Sequence, residues 1–127
     1  MQDKVTYEYA IIRIVPKVER EEFFNVGVLL FSKRKKYLGI AYQIDPNKMA
    51  AFPSELTHEV LTAYMQAWEN VCKGNQQGNR IEQMELSDRF RWLAAAKSSV
   101  IQCSKTHAGL CTDPEKELAD LFEMFVA

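Results

Sequence analysis

The sequence lacks any long apolar run. Its longest apolar stretches, "AIIRIVP" and "NVGVLLF", have the length of strands and fall far short of the roughly 20 residues that a bilayer-spanning helix needs. It also lacks a basic excess, since 16 Lys and Arg residues face 17 Asp and Glu residues. Proteins that bind nucleic-acid backbones usually carry a clear positive excess. We therefore expect no membrane association and do not expect nucleic acid as a partner.

The common catalytic and phosphate-binding motifs are missing as well. There is no glycine-rich P-loop, no dinucleotide-binding fingerprint, no serine nucleophile elbow and no helix with two metal-binding histidines. The three cysteines cannot all pair within one chain, so reduced thiols are expected. The first residues, "MQDKVTYEY", do not have the layout of a signal peptide, which predicts a cytoplasmic protein. No cofactor is predicted.

What is present indicates one globular domain over residues 1–127. The composition is 47% hydrophobic and 26% charged, close to the average of globular proteins. Strand-like segments cover 7–15, 23–31 and 37–44, with a possible fourth at 99–104, and short connections favour an antiparallel meander. Helices are predicted from the N-cap Ser54 to the stop at Gly74, over 86–97, and after Asp113 and Pro114. The predicted class is α+β, a three- or four-stranded antiparallel sheet with helices mainly on one face.

Strand alternation divides the predicted sheet into two faces. The even-numbered residues are almost all apolar, and we expect the helices to cover them. They are Ala10, Ile12, Ile14, Phe24, Val26, Val28, Leu30, Leu38, Ile40, Tyr42 and Ile44. On the odd-numbered face, Arg13, Asn25 and Gln43 are predicted to form a polar row across three strands. That face is also where we expect a contact with a second copy of the chain, if the protein is a homo-oligomer.

The segment "VIQCSKTHAGLCTDP" spaces Cys103, His107 and Cys111 four residues apart. A structural zinc site normally has four ligands, and no fourth ligand is evident, so no metal site is predicted. A cysteine nucleophile activated by His107 is a second interpretation, but spacing alone does not establish that contact. We expect both cysteines to be packing residues.

Polar residues before the last helix are the better candidates for a binding site. The loop offers Ser99, Gln102, Ser104 and His107 near a helix N-terminus, with Arg89 earlier in the chain. Together with Arg13, Asn25 and Gln43, these are the residues that we predict to line the working surface.

Two alternatives to a binding module stay open at this point. In the first, the protein is a small phosphate- or nucleotide-binding enzyme in which His107 is the general base and Arg13 or Arg89 holds a phosphate. In the second, aromatic residues of the odd-numbered face stack on single-stranded nucleic acid. Those residues are Tyr7, Tyr9, Phe23, Phe31 and Tyr37.

Two segments carry a family resemblance: "YEYAIIRIVPKVEREEFFNVGVLLF" and "RFRWLAAAKSSVIQCSKTHAGLCTDP". They resemble the bacterial family named domain of unknown function 3037, and the similarity extends over nearly the whole chain. The chain departs from the family pattern at Lys97 and Cys103, where relatives tend to carry arginine and proline. The matching positions are Tyr7, Arg13, Pro16, Arg20, Glu22, Asn25, Gly27, Val28, Phe31, Gly39, Arg89, Phe90, Trp92, Ser99, Ile101, Gln102, Ser104, His107, Gly109, Leu110, Asp113 and Pro114.

The resemblance implies no established activity. It implies a small protein encoded beside kinases of the HipA type, and hence a partner or modulator of such a kinase or of a toxin or defence system. The leading hypothesis is therefore a non-enzymatic interaction or regulatory module that acts with a protein partner.

Overall fold

A computed structural model describes residues 3–15, 22–51, 57–95 and 100–127 and shows an antiparallel sheet between helices. Within those ranges the sheet has five strands, β1 (Val5–Ile14), β2 (Phe24–Ser32), β3 (Tyr37–Tyr42), β4 (Ile101–Cys103) and β5 (His107–Cys111). The same ranges contain the helices α1 (Pro46–Ala51), α2 (His58–Lys73), α3 (Leu86–Ala95) and α4 (Pro114–Phe125). The predicted α+β antiparallel architecture is confirmed, with a fifth strand added.

Strand β1 lies at the centre of the sheet and is paired on both edges. One edge pairs with β2, which in turn pairs with β3. The other edge pairs with β5 over residues 5–9 and with β4 over residues 12–14. The chain therefore returns to its first strand after β3 and three helices, so two segments about ninety residues apart become neighbours.

Strand β5 was predicted as a loop, and that prediction is wrong. Its sequence, "HAGLC", contains none of the β-branched or aromatic residues that favour strands. Pairing with β1 compensates for this weak propensity. Gly109 is needed in that pairing because a Cβ atom there would lie 2.6 Å from the Tyr7 hydroxyl oxygen, which crosses the strand.

A bulge in β2 shifts the register between β1 and β2. Ile12 lies opposite Gly27, whereas Arg13 lies opposite Asn25, so Val26 is an extra residue on β2. A side chain at Gly27 would approach a carbonyl oxygen of β3 to 2.8 Å, so the backbones are too close there for a larger residue.

The bulge changes the face to which the second half of β2 belongs. Phe24 and Val26 pack with the even-numbered residues of β1, as predicted. Beyond the bulge, Val28 and Leu30 pack on the opposite face, so their predicted placement is wrong. Strand alternation was assumed to run without interruption, and one inserted residue reverses it.

Helices cover both faces of the sheet. Helices α2 and α3 pack over the even-numbered side chains of β1, and α4 packs on the other side against β2 and β3. The buried stripe of α4 includes Leu118 and Leu121. Helix α4 packs over part of the odd-numbered face, on which a contact with a second copy of the chain was expected.

The ends of the long helices have identifiable caps. The N-cap of α2 is Thr57, whose hydroxyl accepts a hydrogen bond from the N–H of Val60 at 3.1 Å, and the predicted cap Ser54 lies outside the described residues. Gly74 ends α2 with a positive φ of 72°, as predicted from its position. Asp113 caps α4, as predicted. In the described part of the chain, no helix has both the length and the apolar character needed to cross a membrane.

Ser104 fastens the segment between β4 and β5 to the central strand. Its N–H donates to the carbonyl of Ile11 at 2.8 Å, and its hydroxyl accepts from the N–H of Ile11 at 2.9 Å. The same hydroxyl donates to the carbonyl of Lys105 at 2.9 Å. Ser104 is buried, so these bonds satisfy backbone groups that water does not reach.

Replacement of Ser104 by alanine should leave the buried N–H of Ile11 without its acceptor. We expect Ser104→Ala to lower the free energy of unfolding by about 1–3 kcal/mol, the usual cost of an unsatisfied buried polar group. Urea denaturation followed by circular dichroism measures this change. The exposed neighbour Thr106 provides the matched control, since Thr106→Ala should change stability by about 0.5 kcal/mol or less. Equal effects of the two substitutions would contradict this role.

Candidate functional site

Three predicted site residues form a row across the middle of the sheet. Arg13 on β1 lies directly opposite Asn25 on β2 and directly opposite Gln102 on β4. Directly paired residues in an antiparallel sheet share a face, so the three side chains project to the same side. That side is the α4 face, because the flanking Ile12 and Ile14 pack under α2 and α3. The two sequence motifs thus meet at Arg13.

Two polar atoms of this row have unused hydrogen-bonding capacity. The Nε atom of Arg13 and the Oδ1 atom of Asn25 are buried and have no hydrogen-bond partner among the described residues. The guanidinium carbon of Arg13 lies 4.4 Å from the ring centre of Phe23, a cation–π contact. Each unsatisfied buried polar group costs about 1–3 kcal/mol, so such groups call for a specific explanation. A donor and an acceptor side by side are suited to a ligand.

The C-terminal end of α4 borders the row. The amide nitrogen of Asn25 donates to the carbonyl of Phe125 at 3.0 Å, and Nζ of Lys48 donates to the carbonyl of Val126 at 3.0 Å. These bonds satisfy carbonyls that the helix itself leaves free at its end. They also hold the partly exposed side chain of Phe125 next to the polar row.

His107, on β5, lies on the same face as the row, beside the first half of β1. It pairs with Tyr9, their rings are 5.2 Å apart, and the ring of Tyr9 is stacked on Phe125 at 6.2 Å. Tyr9 and Arg13 are four residues apart on one strand, which corresponds to about 13 Å. His107 therefore lies at the far end of the same surface and does not contact the row itself.

These residues define one continuous strip, which we call the Arg13–His107 strip. It consists of Arg13, Phe23, Asn25, Gln102, Phe125, Tyr9 and His107. Its two polar ends are joined by Phe125, whose carbonyl binds Asn25 and whose ring contacts Tyr9. The strip combines unsatisfied polar groups with exposed aromatic side chains.

Two other predicted site residues, Gln43 and Ser104, do not join the strip. Gln43 follows β3 and is exposed, and its N–H donates to the carbonyl of Val26, so Gln102 takes the place that was predicted for Gln43 in the row. Ser104 lies beside the strip, but its hydroxyl already bonds the backbone of β1 and Lys105. Ser99 lies outside the described residues.

Arg89 braces the end of α2, away from the strip. Its Nη1 donates to the carbonyls of Val71 and Cys72, each at 2.8 Å, and its Nε donates to the carbonyl of Met84 at 3.0 Å. A Cβ atom on Gly74 would lie 2.5 Å from the same guanidinium. These bonds engage the donors that a phosphate would need, so we leave Arg89 out of the candidate surface.

The cysteines are separated by the sheet. Cys103 packs on the α2 and α3 side, and Cys111 packs on the α4 side. Burial raises the pKa of the Cys111 thiol, with a further contribution from the nearby carboxylate of Glu117. Burial also raises the pKa of Cys72 to about 12, against a smaller opposing effect of Arg89. Thiols with raised pKa values are poor nucleophiles.

The aromatic residues that were predicted to form an exposed platform do not share one open face of the sheet. Tyr7 is buried under α4, and burial together with Glu117 raises its pKa. Phe31 points to the other face, where its ring stacks on Phe90 at 5.1 Å. Of the five predicted aromatic residues, Phe23 is the most exposed and Tyr7 and Phe31 are buried, so the five do not form one exposed row of rings.

Prediction from the sequence missed one member of the strip. The spacing of Phe125 from Leu118 and Leu121 is typical of a buried helix face, yet Phe125 is partly exposed at the end of α4. The usable signal was its position, since the last turn of a helix often extends past the core that it covers. An apolar residue there is a candidate for a contact surface.

Comparison with known proteins identifies the family. The family described as Protein of unknown function (DUF3037) matches residues 9–126, nearly the whole chain, which confirms the resemblance seen in the two segments. No curated protein matches the sequence, and no solved structure matches it. The chain therefore belongs to the DUF3037 family.

Proposed function

We propose that the protein is a non-enzymatic interaction module that binds a partner protein on the Arg13–His107 strip. The observation that supports this most is the pair of unsatisfied atoms, Nε of Arg13 and Oδ1 of Asn25, beside exposed apolar side chains. Protein interfaces are enriched in aromatic residues, methionine and arginine, and their strongest contacts are made in desolvated centres. The strip contains an arginine and several aromatic residues, as such interfaces do.

The two unsatisfied atoms suggest what the partner presents. Arg13 Nε needs an acceptor and Asn25 Oδ1 needs a donor. An extended peptide backbone carries both groups, and a neighbouring carboxylate would suit the Arg13 guanidinium. Because both atoms are shielded from solvent in the free chain, we expect the exposed Phe23 ring, which lies over the guanidinium, to move when the partner binds.

The family resemblance supplies the finer form of this proposal. On that resemblance we infer that the partner is a HipA-type kinase or a component of a toxin or defence system in the bacterial cytoplasm. The strip itself is consistent with any partner of the stated chemistry. Identification of the partner therefore needs capture from the native host.

The enzymatic alternative receives less support from the geometry. It requires His107 near a phosphate held by Arg13 or Arg89, but His107 lies about 13 Å along β1 from Arg13. The donors of Arg89 bind backbone carbonyls. In the described part of the chain, His107 forms no ion pair with an acidic side chain that would orient it as a base.

Quantitative capture of partners from the native host tests the proposal. Wild-type protein should enrich a specific partner, whereas Arg13→Met and Phe23→Ala should reduce capture about tenfold or more, equivalent to about 1.4 kcal/mol of binding free energy. His107→Ala, at the far end of the strip, should have a smaller effect.

Two matched controls accompany this capture experiment. Arg80→Met removes an exposed arginine outside the strip, and Tyr64→Ala removes a ring that is 46% exposed, compared with 47% for Phe23. Both controls should capture the partner as wild type does. Absence of any enriched partner, or equal losses in the control and strip variants, would overturn the proposal.

Arg13 and Arg89 should differ in what they contribute to the stability of the fold. Because Nε of Arg13 has no partner in the described chain, Arg13→Met should leave the free energy of unfolding unchanged or raise it by about 1 kcal/mol. Arg89→Met removes three hydrogen bonds to backbone carbonyls and should lower it by about 2–4 kcal/mol. Urea denaturation measures both. A large loss of stability in Arg13→Met would show that Arg13 is structural and not reserved for a ligand.

A further inference from the structure

Strand β5 is an edge strand with none of the usual protection. Its inner edge pairs with β1 over five consecutive residues, and within the described residues its outer edge makes no backbone hydrogen bond. Natural proteins usually protect such edges with charged residues, proline, bulges or a covering element. β5 contains no charged residue and no proline, and Leu110, next to its central Gly109, is 62% exposed.

We propose that β5 pairs with β5 of a second copy of this chain, antiparallel and about a two-fold axis at Gly109. Symmetric dimers use the same surface on both copies, so the strand must be complementary to itself. In this register Ala108 of one copy lies opposite Leu110 of the other, which places the exposed leucine against a small apolar neighbour. The paired strands bring no two like charges together.

Charge complementarity at the ends of the strand specifies this register. Lys105 and Asp113 each lie four residues from Gly109, one on either side. Both lie two residues outside β5, so the two-fold arrangement brings Lys105 of each copy towards Asp113 of the other. The Oδ1 atom of Asp113 accepts a hydrogen bond from the N–H of Lys116, and its other oxygen can accept from the lysine. A shift of the register by one residue separates these charges.

The pairing has a consequence for the Arg13–His107 strip. A two-fold axis perpendicular to the sheet keeps the α4 faces of both copies on one side. His107, which belongs to β5, then lies beside the junction in each copy. Two strips therefore meet end to end on one continuous sheet, and a bivalent partner would contact both.

The association should depend on concentration. One pair of five-residue strands buries less than the roughly 1,000 Å² that a stable interface needs. We therefore expect monomers at micromolar concentration and dimers at millimolar concentration. The dimer requires no partner protein, so it can be tested separately from the proposed function.

Opposite charges introduced at Leu110 test the pairing. In the dimer the two Leu110 positions are diagonal neighbours, close enough for charges to interact. Sedimentation equilibrium of wild-type protein should show a mass approaching twice the 14.7 kDa of one chain. Leu110→Lys and Leu110→Glu should each raise the dimer dissociation constant about tenfold or more, and an equal mixture of the two should restore it.

The control variants separate this effect from a loss of folding. Val60→Lys replaces an exposed apolar residue of α2, a helix that packs against β3 at the opposite edge of the sheet, and should dimerise as wild type does. Lys105→Asp keeps β5 unchanged but places like charges opposite each other, and it should also weaken the dimer. A wild-type chain that stays monomeric at millimolar concentration would overturn the proposal, even if β5 pairs with a strand of another protein. So would Leu110 variants that dimerise normally, or a mixture that associates no better than either variant alone.

Discussion

Hydrogen bonding along both edges of β1 is the constraint on which the rest of the structure depends. β2 binds one edge, and β5 and β4 share the other. Ser104 fills the position between β5 and β4, so Ile11 also has its backbone groups paired there. Because the strand is central, its alternating side chains must support a core on each face, with α2 and α3 on one side and α4 on the other.

The same arrangement explains how one surface is assembled from distant segments. Arg13 would be an isolated polar residue on a core strand if its two neighbours were apolar. The bulge places Asn25 opposite it, and the return of the chain places Gln102 on its other side. The resulting row is held by hydrogen bonds to the end of α4 but keeps two polar atoms unsatisfied. A protein tolerates such a cost most readily where function requires it.

Local signals predicted much of this fold. The Asp113–Pro114 pair identified the start of α4, Gly74 identified the end of α2, and alternation identified β1. The polar row was predicted around Arg13 and Asn25, and the structure pairs those two residues. Helix caps and strand alternation depend on residues that are close in sequence, so local rules can predict them.

The predictions that failed concern features set by which strands pair in the folded protein. "HAGLC" became a strand only because β1 offered it a free edge, and its own residues give little sign of this. One extra residue in β2 moved Val28 and Leu30 to the opposite face of the sheet. The lengths of the predicted loops give no sign of such a bulge. Gln102 replaced Gln43 in the row because β4 returned to β1, which depends on the whole topology.

Hydrogen–deuterium exchange on the captured complex tests the central claim most directly. If the partner binds the Arg13–His107 strip, amides of residues 22–23 and 105–106, which lie outside the strands beside the strip, and the end of α4 should gain protection relative to the free chain. The basic turn over residues 33–36 and the exposed side of α2 should exchange as before. Protection confined to that turn or to α2 would contradict the account, because the unsatisfied atoms of Arg13 and Asn25 would then have no role in binding.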